Sequence, residues 1–284
     1  MKQTTNHILV PLDFSKQSII ALEQSYNLAR LSGSEIVLLH VVRENNAVFG
    51  LFSEKEQKDM MLRLKNKLDD FARKAMEQSQ LEINTILTRG KVVDQIIETA
   101  EHLDAQFIIM GTNRPENIMK RIIGSTALRV IKEAKCPVIS IEGIHHRKGC
   151  SNIVLPMDLK KEIIQKVGVT IKFAKLFGSK INVVSVKTKD DELQTIKRLE
   201  QLEQVKKQIV AEGIECETTL LEKSGNNESI ATDVLDFAND VKGDLIVLMT
   251  QQENEIKDFF IGSFAKEIIH KSKIPVMSMV PKRK

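Results

Sequence analysis

The sequence predicts an α/β protein made of two copies of one parallel-sheet unit. Short apolar runs rich in β-branched residues alternate with amphipathic segments of helical period, which is the pattern of strands joined by helices. The chain also repeats itself. HILVPLD at 7–13 returns as NIVLPMD at 152–158, an offset of 145 residues, and IGS at 123–125 returns at 261–263, an offset of 138. Because both ends of the unit recur, we interpret the chain as a duplicated domain.

The length also favours two domains. The chain has 284 residues, and half of that is close to the common domain size of about 100 to 150 residues. We predict an N-terminal domain at 1–143 and a C-terminal domain at 150–284, with a linker at 142–150. Since the offset falls from 145 to 138, the second copy must be seven residues shorter, and we expect the loss around 45–53.

The composition is that of an ordinary globular protein and excludes several functions. Charged residues make up 28% and the net charge is +4 over two domains, so we expect neither a nucleic acid nor a membrane as partner. Three cysteines without paired spacing indicate reduced thiols. The first apolar run is too short for a signal peptide, and no run approaches the length of a membrane span. We therefore expect a cytoplasmic protein.

The first elements can be placed from capping residues and periodicity. The apolar run at 8–12 predicts a strand, and Ser15 offers an N-cap to the helix that Gly33 ends. The predicted buried stripe of this helix has spacings of three and four: Ile19, Leu22, Tyr26 and Ala29. A second strand follows at 36–42, and the Ser53–Glu56 pair has capping-box spacing for a long second helix.

The remaining elements complete a five-stranded unit. Alternating residues from Leu81 to Thr85 predict a half-exposed edge strand, whereas the continuous apolar run at 107–110 predicts a central one. A last helix follows Gly124 and a fifth strand follows Pro137. In such a parallel sheet the ligand crevice lies at the carboxyl ends of the first and fourth strands, which places Asp13 and Gly111 together.

Two glycines bracket the loop after the fourth strand. The chain has neither the G-x-G-x-x-G fingerprint nor a Walker motif, which excludes the common dinucleotide and P-loop sites. Gly111 would let the backbone approach a ligand closely. The run Gly124-Ser125-Thr126 begins a helix, so it would present backbone N–H groups and hydroxyls to a phosphate.

At these residues the chain resembles the universal stress protein family in its tandem two-domain form. The matching parts are the opening ILVPLD, the MGT after strand four, the IGS before the last helix and the closing CPV or IPV. The resemblance covers nearly the whole chain. It implies two Rossmann-like (flavodoxin-like) domains, each with strand order 3-2-1-4-5. It also implies that the fifth strands, at 138–141 and 276–280, pair with each other to form an internal pseudo-dimer, with a homodimer left open.

The resemblance also implies a nucleotide site in the N-terminal domain. ATP-binding members carry G-x2-G-x9-G-[ST], and Gly111, Arg114, Gly124 and Ser125 keep that spacing, with arginine in place of the second glycine. By resemblance, Asp13 would hold the ribose, the backbone at Val41 the adenine, and Gly111 with the turn at 124–126 the phosphates of ATP with magnesium. The candidate binding residues are Pro11, Asp13, Val41, Met110, Gly111, Arg114, Gly124, Ser125 and Thr126.

Arg114 and the second copy leave alternatives open. Arg114 either contacts a phosphate or plugs an empty site. In the second copy Met249 replaces Gly111 and Gln252 stands at the position of Arg114, so we expect a degenerate site there that binds no ATP. Asp158 alone makes no site.

Other reactive side chains have structural explanations. We interpret His40 as a packed or hydrogen-bonded residue and Cys136 as a buried thiol, and a zinc site at His145, His146 and Cys150 as a coincidence.

Three functions remain. The first is a non-catalytic stress-response regulator in which ATP orders a surface read by an unknown signalling protein. The second is a nucleotide-independent scaffold for a protein partner. The third, an enzyme, is disfavoured because no nucleophile is paired with a base, so we expect at most slow hydrolysis of bound ATP.

Overall fold

The two halves of the chain share one ten-stranded sheet. The computed structural model describes residues 6–43, 53–112, 124–143, 149–157, 163–187, 192–225, 229–250 and 261–281. The first half contains β1 (His7–Pro11), α1 (Lys16–Ser32), β2 (Glu35–Arg43), α2 (Glu54–Ser79), β3 (Ile83–Gly90), α3 (Val92–His102), β4 (Phe107–Gly111), α4 (Ser125–Glu133) and β5 (Val138–Ile141). The second half contains β6 (Asn152–Met157), α5 (Ile163–Phe177), β7 (Lys180–Lys187), α6 (Glu192–Ala211), β8 (Cys216–Glu222), α7 (Ile230–Asp240), β9 (Leu245–Met249), α8 (Ser263–Lys271) and β10 (Val276–Met279).

The strand order confirms the predicted topology in both halves. The sheet runs β3-β2-β1-β4-β5-β10-β9-β6-β7-β8, so each half has the order 3-2-1-4-5. All pairs within a half are parallel, whereas β5 and β10 pair antiparallel. The alternating strands β3 and β8 lie at the two edges, as their half-polar pattern predicts. The domain boundaries at 143 and 150 stay a prediction.

The pairing of β5 with β10 joins the halves. Met277 lies opposite Ile139, and Val276 lies opposite Ser140, whose hydroxyl donates to the Val276 carbonyl at 3.2 Å. Both four-residue strands are buried throughout. Pairing hides two apolar strand edges that would otherwise invite association with other chains. The fifth-strand pairing expected from the resemblance is therefore present.

Helix α1 begins and ends where the sequence predicts. The Ser15 hydroxyl accepts from the Ser18 N–H at 3.3 Å, and Gly33 has φ 63°, a left-handed C-cap. The predicted buried stripe was too narrow, because the sheet and the neighbouring helices cover a wider arc of the helix surface. Ile19 and Tyr26 lie at the margin, and the buried residues are Ser18, Ile20, Ala21, Leu22, Ser25, Leu28 and Ala29.

The length difference between the copies has two parts, which corrects the expected single loss at 45–53. Pairing across the sheet shows that the offset is 145 residues at β7, 133 at β8 and 138 from α7 onward. The second copy therefore lost twelve residues before β8 and gained five after it. Half of the loss is in the helix, since α2 has 26 residues and α6 has 20. The gain lies in the segment 223–229 before α7.

Two apolar layers cover the two faces of the sheet. Along β1, Ile8 and Val10 face the layer that includes α1 and α2, while Leu9 faces the layer that includes α3 and α4. Both faces of the central strands are therefore buried, which is why their sequences read as continuous apolar runs. Among the described residues, no helix combines the length and the hydrophobicity needed to cross a bilayer.

Candidate functional site

The carboxyl ends of the neighbouring strands β1, β2 and β4 lie side by side at one end of the sheet in the first half. These strands are neighbours in the sheet, and Pro11 lies opposite Leu39 of β2. Leu9 lies opposite Ile108 of β4, so Met110 is level with Pro11. Val41 lies two residues beyond Leu39. The sheet therefore brings together Pro11, Val41, Met110 and Gly111 from three separate parts of the sequence.

Asp13 lies just beyond β1 on the exposed rim of this edge. One carboxylate oxygen accepts from the Ser15 N–H at 3.0 Å. Ser15 is itself the N-cap of α1, so the bond ties the orientation of the carboxylate to the start of that helix. An exposed, oriented carboxylate can accept hydrogen bonds from a pair of hydroxyl groups.

Gly111 is glycine because of packing inside the protein. A Cβ at this position would lie 2.4 Å from the carbonyl oxygen of Gln17 on α1. No side chain can be placed at that distance from backbone without a shift of the helix. From the sequence we expect this glycine to allow the close approach of a ligand. In the structure the contact with the Gln17 backbone requires a glycine even without a ligand.

The start of α4 offers backbone donors. Its N-cap is Gly124, with φ −56° and ψ 140°, and no side chain of the described residues caps the helix. Nothing lies within 4 Å of a Cβ built on Gly124, so the space in front of the helix is open among the described residues. Ser125 is exposed and Thr126 is half-buried. An uncapped helix start attracts anions through its N–H groups and its dipole.

Three positions of the predicted pattern, Arg114, Asp158 and Gln252, lie outside the described residues.

Sequence reasoning missed an aromatic cluster beside Asp13. Phe14 has φ 61°, unusual for a residue with a side chain. Its ring centroid lies 5.0 Å from that of His40 and 5.9 Å from that of Phe71, and the Lys67 ammonium lies 4.4 Å from the Phe14 centroid. The cluster connects the loop of Asp13 to α2. A large aromatic residue directly after Asp13 was the available signal, in a chain with only 4% aromatic residues.

His40 agrees with its structural interpretation, whereas Cys136, predicted to be buried, is half-buried. His40 Nδ1 lies 2.7 Å from the carbonyl oxygen of Leu12, and burial raises the pKa of the Cys136 thiol to about 11. Of the possible zinc ligands, Cys150 is buried and both histidines lie outside the described residues. The described part of the chain contains no cluster of three or more metal-binding side chains.

The second half has a cavity of about 340 Å³ at the equivalent sheet edge. The sequence predicts a degenerate site there and gives no indication of an open space. Its wall is mostly apolar, and two cationic side chains, Lys166 and Arg198, also line it. The apolar part of the wall includes Val184, Val186, Val234, Leu248, Met249 and Phe264.

Polar groups at this cavity are organised by α7 and α8. The Ser229 hydroxyl caps α7 and also donates to the Glu267 carboxylate of α8 at 2.6 Å. Lys271 donates to the same carboxylate oxygen at 2.5 Å. Burial works to raise the pKa of Glu267, but these two hydrogen bonds lower it below its ordinary value. The carboxylate charge at the rim is therefore largely compensated.

Two tandem Rossmann-like units in a continuous sheet, with an uncapped helix start at the strand ends, define a class of duplicated α/β proteins. The chain belongs to the Universal stress protein family, whose model matches residues 4–141 and again 150–279. The two matches coincide with the two halves of the sheet. Family and fold therefore agree with the duplication seen in the sequence.

Individual relatives extend this comparison. Universal stress protein MJ0577 of Methanocaldococcus jannaschii is 30% identical over 151 residues, covering 48% of this chain and 93% of that protein. A crystal structure of a universal stress protein from Archaeoglobus fulgidus covers 98% of this chain and 97% of its own, with a TM-score of 0.77 and 20% identity, which shows the tandem fold. A further A. fulgidus universal stress protein, solved in complex with dAMP, is 28% identical, covering 46% of this chain and 98% of its own with a TM-score of 0.37.

Proposed function

We propose that the protein is a non-catalytic stress-response regulator that binds ATP with magnesium in its N-terminal half. The main support is the uncapped start of α4 at Gly124, which follows Gly111 with the spacing of the family's nucleotide loop. An oriented carboxylate, Asp13, follows β1, the strand beside β4. A phosphate donor set and a ribose acceptor are thus offered by neighbouring parts of the fold.

Each proposed role is the one that the family resemblance implies, and the chemistry of each group is compatible with it. Asp13 accepts hydrogen bonds from the ribose hydroxyls, and the backbone of Val41 pairs with the adenine edge. The N–H groups and hydroxyls of Ser125 and Thr126 bind the phosphates. Pro11 and Met110 form the wall between β1 and β4. Magnesium offsets the phosphate charge and needs few protein ligands, because it keeps several of its waters.

The proposed output is a change in surface that a signalling protein reads in the cytoplasm. A nucleotide shifts a conformational equilibrium only if it binds one state more tightly than the other. The loop between Gly111 and Gly124 contains Arg114 and follows the strand that meets the phosphates, so it is the segment we expect to respond. Binding and ordering suffice for this role, with at most slow hydrolysis of the bound ATP.

A nucleotide-independent scaffold is the second candidate. Two observations favour it: the packing against Gln17 explains Gly111 without any ligand, and arginine replaces a glycine of the loop pattern at 114. The scaffold predicts no response to ATP and a stable complex with a protein partner.

Matched valine substitutions at the two helix starts test the ATP proposal. Gly124 and Gly262 have nearly the same backbone, with φ −56° and −54°, and both face open space among the described residues. Gly124→Val and Gly262→Val should therefore affect folding alike. By isothermal titration with Mg·ATP, we expect binding by wild type and Gly262→Val, and at least tenfold weaker binding by Gly124→Val. Absence of binding by wild type supports the scaffold.

A second titration decides the role of Arg114. If wild type binds ATP and Arg114→Gly binds it more weakly, the guanidinium contacts phosphate. If wild type is silent and Arg114→Gly binds, the arginine blocks the site. The melting temperature without nucleotide should be compared for both proteins, so that a folding defect is not taken for a loss of binding.

A further inference from the structure

The cavity in the second half differs in chemistry from the site proposed for ATP. We propose that it binds a small amphipathic anion, a molecule with one carboxylate-like headgroup and an apolar body. Its volume, about 340 Å³, falls within the range of roughly 300 to 1,000 Å³ typical of small-molecule sites.

The apolar side of the cavity comes from the sheet and the two helices above it. Val184 and Val186 come from β7, Leu248 from β9 and Val234 from α7. These last two are at most 1% exposed, so the wall is formed by the packed core of the domain. A wall of this kind favours an apolar body, because binding removes the apolar surface of the ligand from water.

The cavity also carries positive charge. Lys166 of α5 lines it, with its ammonium donating to the carbonyl of Pro156 at 2.5 Å. Arg198 of α6 lines it too, with its guanidinium donating to the Ser185 hydroxyl at 3.0 Å. Guanidinium presents five N–H donors in a planar fork that matches a carboxylate. Since the Glu267 charge is compensated by Lys271 and Ser229, the wall as a whole favours an anion.

Comparison of the two copies shows what changed. Positions occupied by Ala21, Gly111 and Thr126 in the first half carry Lys166, Met249 and Phe264 in the second, at offsets of 145, 138 and 138 residues. Two of these changes add apolar side chains at the strand end and helix start where the first copy keeps small or polar residues. The third adds a cation. The two apolar additions are the opposite of what a cradle for a triphosphate needs, whereas the added cation suits any anion.

Decanoate is the probe for this proposal, used well below the concentration at which it forms micelles. We expect isothermal titration to give one site per chain, with Arg198→Gln and Lys166→Met each weakening binding at least tenfold. Lys197→Gln and Lys172→Met remove neighbouring exposed charges from the same two helices and serve as matched controls without effect. Decanol, which lacks the charge, should bind at least tenfold more weakly than decanoate.

Methionine methyl NMR locates the ligand without a substitution in the cavity. Met157 and Met249 line the cavity, and Met110 is the first-half counterpart of the lining residue Leu248. We expect decanoate to shift the Met157 and Met249 signals and to leave Met110 in place. The proposal is overturned if decanoate does not bind, if it binds equally well after both substitutions, or if it shifts Met110 alone.

Mg·ATP distinguishes this proposal from the first. If decanoate binds and ATP does not displace it, the cavity is a separate site, whatever the outcome of the ATP titration in the N-terminal half. If ATP displaces decanoate and that competition is lost in Arg198→Gln, the cavity is a nucleotide site and the proposed ligand class is wrong.

Discussion

Gly111 at the end of β4 lies against the Gln17 carbonyl of α1, so closely that a methyl group on Gly111 would lie 2.4 Å from that oxygen. The strand end and the first turn of the helix are therefore in direct backbone contact. This contact fixes α1, and with it the Ser15 cap and the Asp13 carboxylate, relative to β4. In the second copy the equivalent strand position is Met249, so the two strand ends are not packed in the same way.

The contact predicts a loss of stability in Gly111→Ala. Forcing a methyl group into this gap should lower the free energy of unfolding by about 1 to 3 kcal/mol, the usual cost of overpacking. Gly124→Ser is the control: its side chain enters open space and can cap α4, so stability should stay the same or rise by up to about 1 kcal/mol. Urea unfolding measures both. An unchanged midpoint in Gly111→Ala would show that α1 and β4 are less tightly packed than described.

The link between α7 and α8 predicts a specific pH dependence. Hydrogen bonds from Lys271 and Ser229 outweigh burial and lower the pKa of Glu267 below its ordinary value of 4.5. A lowered folded-state pKa means that the stabilisation is present above 4.5 and is lost as the pH falls through the folded-state pKa. Glu267→Gln should thus be less stable than wild type at pH 7, with the difference shrinking below pH 4.5. Thermal unfolding across pH, with the exposed Glu203→Gln as control, measures it; a constant difference would argue against the link.

Because β5 and β10 pair across the two halves, a charged residue at Met277 should lower the free energy of unfolding of the protein. This residue is fully buried on β10 opposite Ile139 of β5. Met277→Lys buries an ammonium group with no anionic partner provided, which should lower the free energy of unfolding by about 3 kcal/mol or more. Leu199→Lys, at a position 50% exposed, should change stability by less than about 0.5 kcal/mol. Equal effects of the two lysines in chemical unfolding would contradict the buried junction.

Cys136 and Cys216 should be nearly inert towards alkylation in the folded protein. Burial raises the pKa of Cys136 and of Cys216 to about 11 in each case. At pH 8 only about one thiol in a thousand is then a thiolate, the reactive form. Iodoacetamide should label neither Cys136 nor Cys216 within minutes in native buffer, and should label both in denaturant, as detected by mass spectrometry. Rapid labelling of Cys136 in native buffer would show that the segment before β5 opens and exposes the thiol.

The fold could be predicted because local and global signals agree. Helix caps at Ser15, Gly33 and Ser53 mark boundaries through bonds with neighbouring residues, and the continuous apolar run at β4 indicates a strand covered on both faces. The repeat supplied some of these signals twice, since Gly178 stands at the position of Gly33 in the second copy and has the same left-handed backbone, with φ 64°. The breadth of burial on α1 could not be read from its sequence, because it depends on which elements pack around the helix.

The site was less predictable, since it depends on contacts between distant parts of the chain. The reason for Gly111 is the Gln17 carbonyl, 94 positions earlier, and no local pattern indicates that approach. The cavity of the second half combines Lys166 from α5 with Arg198 from α6. A comparison of the two motifs shows only that Met249 replaces the glycine found at position 111 of the first copy. It does not register side chains that arrive from other elements.

The central claim is that the first half alone retains a nucleotide site. The most direct measurement is a titration of Mg·ATP into protein labelled at its methionine methyl groups, with Met110, Met157 and Met249 assigned by single leucine substitutions. We predict a saturable shift of Met110, while Met157 and Met249 stay in place. A shift of Met249 with Met110 unmoved would contradict the claim, because the nucleotide would then lie in the cavity of the second half.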